Sequence, residues 1–114
     1  MDAKKTVVYI CSPYRGDVDA NTEKARRYCR YAADRGYVPI APHLLLPQFV
    51  DEETEREAAI ESDLAILERC DELWVCGEDI TDGMAAEIAS ASDRNMKTRF
   101  VKEEDIPCLR SGKE

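Results

Sequence analysis

The chemistry open to this sequence concentrates in Thr81-Asp82-Gly83-Met84-Ala85-Ala86-Glu87, a segment that follows the apolar run Leu73-Trp74-Val75-Cys76. The pattern predicts the end of a buried strand, a tight glycine turn and a helix whose first turns carry one carboxylate, Glu87. In an open α/β sheet, ligands sit in the crevice outside the carboxyl ends of the strands, where helix N-termini also point. An acid delivered there is a candidate nucleophile or general base. The other reading of the same residue is a helical glutamate facing solvent.

A second carboxylate, Asp63, falls on the border of an apolar helical face, beside Ile60, Leu64 and Leu67. Such a group is costly unless it has a partner or lines a cavity, and burial would raise its pKa toward a proton-handling range. The alternative places it on the helix flank in water. At the end of the first strand stand Ser12, Tyr14, Arg15 and Gly16, a hydroxyl, a guanidinium and flexible amides suited to an anionic group such as phosphate. The plain alternative is a surface turn. The segment is neither a GxGxxG fingerprint nor a Walker loop. His43 follows Pro42 on the crevice side and reads as a packing residue or a ligand contact; no Ser-His-Asp or Cys-His arrangement is supported. Asp71 is expected to cap or end a helix. The acid runs Asp51-Glu52-Glu53 and Glu103-Glu104-Asp105 are expected to be solvated, the first of them serving a helix N-terminus.

The elements that must position these groups alternate. Residues 6–11 (TVVYIC) are apolar on both faces, the mark of a buried parallel strand. Ala25, Tyr28, Cys29 and Ala32 recur at helical steps within residues 21–35, which Gly36 closes. Residues 37–41 (YVPIA) make a short strand that Pro39 marks as an edge or a strand start. Then comes an apolar loop over 42–50, expected to cover something or to meet a partner chain. A helix over 52–70 is expected to turn Ala59, Ile60, Leu64 and Leu67 inward. A strand at 73–76, a helix over 83–94 and a strand at 98–101 follow, with a short tail element at 106–109. This order predicts an α/β fold: a three-layer sandwich with a parallel, flavodoxin- or Rossmann-like sheet of four to five strands and helices on both faces.

At 114 residues the chain reads as a single domain spanning 1–114. Its formal net charge of −8 argues against a polymeric nucleic-acid partner, whose phosphates demand a positive footprint. No apolar stretch approaches the ~18 residues of a membrane span. The five cysteines are scattered without a CxxC pair, so zinc spacing is absent and reduced core thiols in a cytoplasmic protein are expected. No metal and no cofactor is called for.

Three motifs in order resemble the nucleoside 2-deoxyribosyltransferase-like superfamily, over roughly residues 7–101. Tyr9-Ile10-Cys11-Ser12-Pro13-Tyr14-Arg15-Gly16 looks like its first strand and substrate loop, in a form similar to the nucleoside 5′-monophosphate N-glycosidase branch. Asp63-Leu64 followed by Cys70-Asp71-Glu72-Leu73 resembles its paired aspartates, and Gly83-x-x-x-Glu87-Ile88-x-x-Ala91 its signature helix. The chain is also similar to the short DUF4406/DUF7768-type group within that superfamily.

The resemblance implies Glu87 as a nucleophile on C1′ of the sugar, Asp63 as the residue that positions or assists it, and Tyr9 as the group that holds Glu87, although Tyr9 reads equally as core. It further implies substrate contacts from Ser12, Pro13, Tyr14, Arg15 and Gly16, from His43, and from Thr81, Asp82, Gly83 and Met84, with Ser12, Arg15, Gly16 and Thr81 around a 5′-phosphate. Asp82 departs from the pattern by adding a negative charge beside that phosphate. The ligand implied is a small nucleoside or nucleotide, and the assembly a homodimer with Leu44-Leu45-Leu46 at its contact. The activity implied is cleavage or transfer of an N-glycosidic bond. A non-catalytic nucleotide-binding or sensing module on the same scaffold is the alternative.

Overall fold

A computed structural model describes residues 4–106. Four strands, β1 (Val7–Cys11), β2 (Val38–Ile40), β3 (Glu72–Cys76) and β4 (Lys97–Val101), form one parallel sheet in the order β2-β1-β3-β4. The connections are α1 (Val18–Asp34), α2 (Arg56–Glu68) and α3 (Asp82–Asp93). The α/β architecture expected from the alternation is the one found.

Strand alternation divides the core in two. Val8 and Ile10 of β1 join Trp74 and Cys76 of β3 under α1, packed on Tyr28 and Ala32. Tyr9 and Cys11 join Leu73 and Val75 on the opposite face, with Leu67 of α2 and Met84 and Ala91 of α3. The central strands β1 and β3 are therefore apolar on both sides, whereas Pro39 sits in the edge strand β2, where a missing amide costs no ladder bond. Asp71 has a different structural task from the expected helix cap. Its carboxylate accepts the Val7 amide at 2.8 Å and its own amide donates to the Val7 carbonyl at 2.8 Å, which pins the start of β1 to β3.

Several boundaries differ from the sequence expectation for identifiable reasons. Helix α1 begins earlier, at Val18, because the Asp17 carboxylate accepts the Ala20 amide as its cap. Helix α2 begins later, at Arg56, because Asp51 draws the backbone of 51–55 into turns by accepting the Glu53 and Thr54 amides. The glycine turn expected at Gly83 lies elsewhere. Gly77, directly after β3, carries the positive φ of 100°, and a Cβ there would come within 3.2 Å of the Tyr28 hydroxyl; Gly83 is an ordinary residue of the first turn of α3.

The apolar loop 42–50 folds into two short 3₁₀ turns, Pro42–Leu44 and Leu46–Gln48. Leu46 is buried and Leu44 packs against the α1-side core, so only Leu45 of the three leucines faces outward, with Phe49. Cys11, Cys70 and Cys76 are buried free thiols and Cys29 is half-buried. Apart from Ile106, which is buried, the expected tail element at 106–109 and Cys108 lie outside the described residues. Among the described residues no helix is long and apolar enough to cross a membrane.

Candidate active site

In the order β2-β1-β3-β4 the chain first builds outward from β1 to β2, then returns to the other side of β1 with β3. A crevice opens at such a switch point, outside the carboxyl ends of the two strands. The loop after β1, the loop after β2, the N-terminal half of α2 and the first turns of α3 converge there on a cavity of about 190 Å³. Its wall includes Ser12, Tyr14, Arg15, His43, Asp63, Thr81, Asp82, Gly83, Met84 and Glu87, most of the residues singled out from sequence. Pro13 and Gly16 shape the β1 loop without lining the cavity, Gly16 by a left-handed φ of 101° that turns the chain toward α1.

Glu87 is 6 % exposed. It is one turn beyond the helix start that Thr81 fixes by accepting the Met84 amide at 3.2 Å. The Tyr9 hydroxyl, from the middle of β1, donates to Glu87 Oε2 at 2.7 Å across the sheet–helix interface. Tyr9 thus lies in the core and touches the site through Glu87; the two readings of that residue are not exclusive. Glu87 Oε1 has no hydrogen-bond partner, and neither does Asp63 Oδ1 or Ser12 Oγ. All three are buried atoms of residues on one cavity wall. A buried polar atom without a partner costs about 1–3 kcal/mol, and three around one cavity leave hydrogen-bonding capacity open to whatever fills it, a ligand or water.

The two carboxyls differ in what surrounds them. Burial raises the pKa of Asp63 to about 7, and the charges of Glu87 and Glu52 push it the same way. Burial also raises Glu87, but the Tyr9 hydroxyl and the Cys11 thiol favour its anion and pull it back. Tyr9 and Cys11 are themselves held protonated, mainly by burial and then by Glu87, so both remain donors. Burial thus acts unopposed on Asp63, whereas two donors offset it at Glu87. Burial lowers the pKa of His43, a hydrogen bond to the Ser12 backbone works against that shift, and the ring stacks on Tyr14 with centroids 4.9 Å apart.

Arg15 reaches the rim with its guanidinium committed to Glu53, 3.2 Å away in an exposed pair. The sequence expectation did not include Glu52, Arg56 and Ala86 on the wall. Of the four residues expected inward on α2, Ala59 and Leu67 are buried and Leu64 packs against the core while also lining the cavity, but Ile60 is 38 % exposed and Asp63 joins the inward face. The missed signal is the spacing of Arg56, Ile60, Asp63 and Leu64 at i, i+4, i+7 and i+8, one stripe of a helix. Among the described residues no three His, Cys, Asp or Glu side chains gather as a metal site.

The model of a family described as a domain of unknown function, DUF7768, matches residues 6–101. The chain belongs to that family. No curated protein matches the sequence of this DUF7768 member. Among solved structures, its fold is similar to that of a 2-deoxyribosyltransferase from the psychrotolerant bacterium Bacillus psychrosaccharolyticus. The TM-score is 0.64 at 19% identity, over 85% of this chain and 72% of that one. At that identity the likeness establishes a shared fold.

Proposed function

We propose that this DUF7768 protein cleaves or transfers the N-glycosidic bond of a nucleoside or nucleoside 5′-monophosphate through a covalent glycosyl–Glu87 intermediate. The observation that carries the reading is the pair of buried carboxyls on one cavity wall, Glu87 held by the Tyr9 hydroxyl and Asp63 with its pKa raised to about 7 by burial. The fold shared with a 2-deoxyribosyltransferase agrees with it.

In the first step Glu87 Oε1 attacks C1′ and the C1′–N bond breaks, its electron pair leaving with the base. Asp63 supplies the proton that the departing base takes up. Water or a second base then attacks C1′, the glycosyl–Glu87 ester bond breaks, and Asp63 recovers its proton from the attacking group. One carboxylate thus forms the intermediate while the other alternates between acid and base, as in retaining glycosidases. Tyr9 holds the nucleophile by one oxygen and leaves the other without a partner.

The test is release of free base, followed by chromatography, from a panel of ribo- and deoxyribonucleosides and their 5′-monophosphates, with and without a second base as acceptor. Base release by the wild type and not by Glu87→Ala is the expected result. Ligand-dependent stabilisation without release from any compound would replace the enzyme by a nucleotide-binding module.

A further inference from the structure

We infer that Arg56 is the side chain with which this cavity receives an anionic group of its ligand, the 5′-phosphate of a nucleotide. The inference rests on the nucleotide reading above and goes beyond it in assigning the anion to α2 and not to the β1 loop. Two arginines line the cavity, Arg15 and Arg56, against four carboxylates, Glu52, Asp63, Asp82 and Glu87. Arg15 places both of its bonds on the Glu53 carboxylate, at 3.2 and 3.3 Å. Arg56 is half-buried on the wall and makes no hydrogen bond or ion pair with any described residue.

A half-buried guanidinium without an ion-pair or hydrogen-bond partner is the feature a ligand anion would complete, because its fork of donors matches phosphate oxygens two at a time. Position supports the assignment. Helix α2 runs antiparallel to the strands, so its first residue, Arg56, stands at the carboxyl edge of the sheet, while Asp63 lies about 10 Å farther down the axis at 1.5 Å per residue. A ligand with its glycosidic bond beside Asp63 and Glu87 would extend its 5′ end toward the rim, within the arginine's reach. The Ser12 hydroxyl, 98 % buried and unpartnered on the same wall, adds a donor. The surrounding acids sharpen the role: without Arg56 the cavity would repel a dianion, and with it the cavity discriminates phosphorylated from unphosphorylated ligands.

The test is calorimetric affinity for thymidine and deoxyadenosine and for their 5′-monophosphates, in a Glu87→Ala background that leaves them intact. Arg56→Gln should weaken monophosphate binding at least ~10-fold and nucleoside binding less than ~2-fold. Arg56→Lys should fall between, and Arg15→Gln should cost less than Arg56→Gln. Equal losses on both ligand classes, an unchanged preference, or no preference for monophosphates in the parent would each overturn the assignment. Base release from nucleosides without a monophosphate preference would spare the glycosidic reading and sink this one. An Arg56-dependent preference without base release would do the reverse, and a parent that binds neither class would overturn both.

Discussion

Two glutamates of this small domain are almost equally buried, and they have opposite surroundings. Glu72, at the start of β3, is 8 % exposed and fully partnered: it accepts the Trp74 indole N–H at 2.9 Å and the Arg99 guanidinium at 3.3 Å, with the Lys97 ammonium at 3.9 Å. Glu87, at the other end of the sheet, is 6 % exposed, keeps one oxygen unpartnered and shares its cavity with a second unpartnered acid. Burial alone therefore says little about function in this fold. What separates a structural acid from a chemical one is whether the surrounding chain has spent the side chain's hydrogen-bonding capacity.

Substitution should break the symmetry of the pair in opposite directions. Glu87→Ala should lower base release at least ~10³-fold, since water cannot take the place of a positioned nucleophile. It should leave the protein folded, with the stranded Tyr9 hydroxyl costing about 1–3 kcal/mol against the relief of removing an incompletely bonded acid; a folded variant of unchanged rate would refute the mechanism. Glu72→Ala should do the converse. It strands the Arg99 and Trp74 donors and should cost about 2 kcal/mol in denaturant unfolding, with the half-exposed Arg99 keeping the loss from being larger. Its rate per folded molecule should match the wild type; a fall in rate without a fall in stability would place Glu72 in the site.

The smallest effect concerns Asp63 and sharpens the contrast through pH. Its folded pKa, about 7, lies above the unfolded 3.8, so the folded state holds the proton longer than the unfolded one. Stability linked to this group is complete below the unfolded value and is lost as pH rises through about 7. Asp63→Asn should therefore melt higher than the wild type at pH 8, by about 4 °C, with the gain vanishing toward pH 4. A gain of equal size at both pH values would mean that Asp63 carries no perturbed proton in the folded protein. In the wild type the same proton sets the alkaline limb of base release, which should decline above pH 7.

The same contrast explains what the sequence discloses. Strands with both faces apolar, such as VVYIC and ELWVC, announce a buried parallel sheet, and the helical recurrence of Ala25, Tyr28 and Ala32 announces the layer above it. Glu87 and Asp63 are conspicuous because each interrupts an apolar pattern. Arg56 and Glu52 interrupt nothing, since charged residues at a helix start look solvated until the sheet's carboxyl edge is placed against them. Ile60 fits a core face by period alone; a stripe that continues past the end of the core onto a cavity has the same spacing. The glycine after β3 is favoured partly by a nonlocal neighbour. Besides its left-handed φ of 100°, Gly77 has the Tyr28 hydroxyl 3.2 Å from where a Cβ would stand, and that hydroxyl arrives from a helix 49 residues earlier in the chain.

The central claim is that Glu87 becomes covalently glycosylated. The most direct test is mass spectrometry of the intact protein, acid-quenched within its first turnovers on the best substrate of the panel, with peptide mapping. The account predicts a mass gain of one glycosyl residue on the peptide containing Glu87, absent from Glu87→Ala. Rapid base release with no adduct on any time scale, or an adduct that persists in Glu87→Ala, would contradict it.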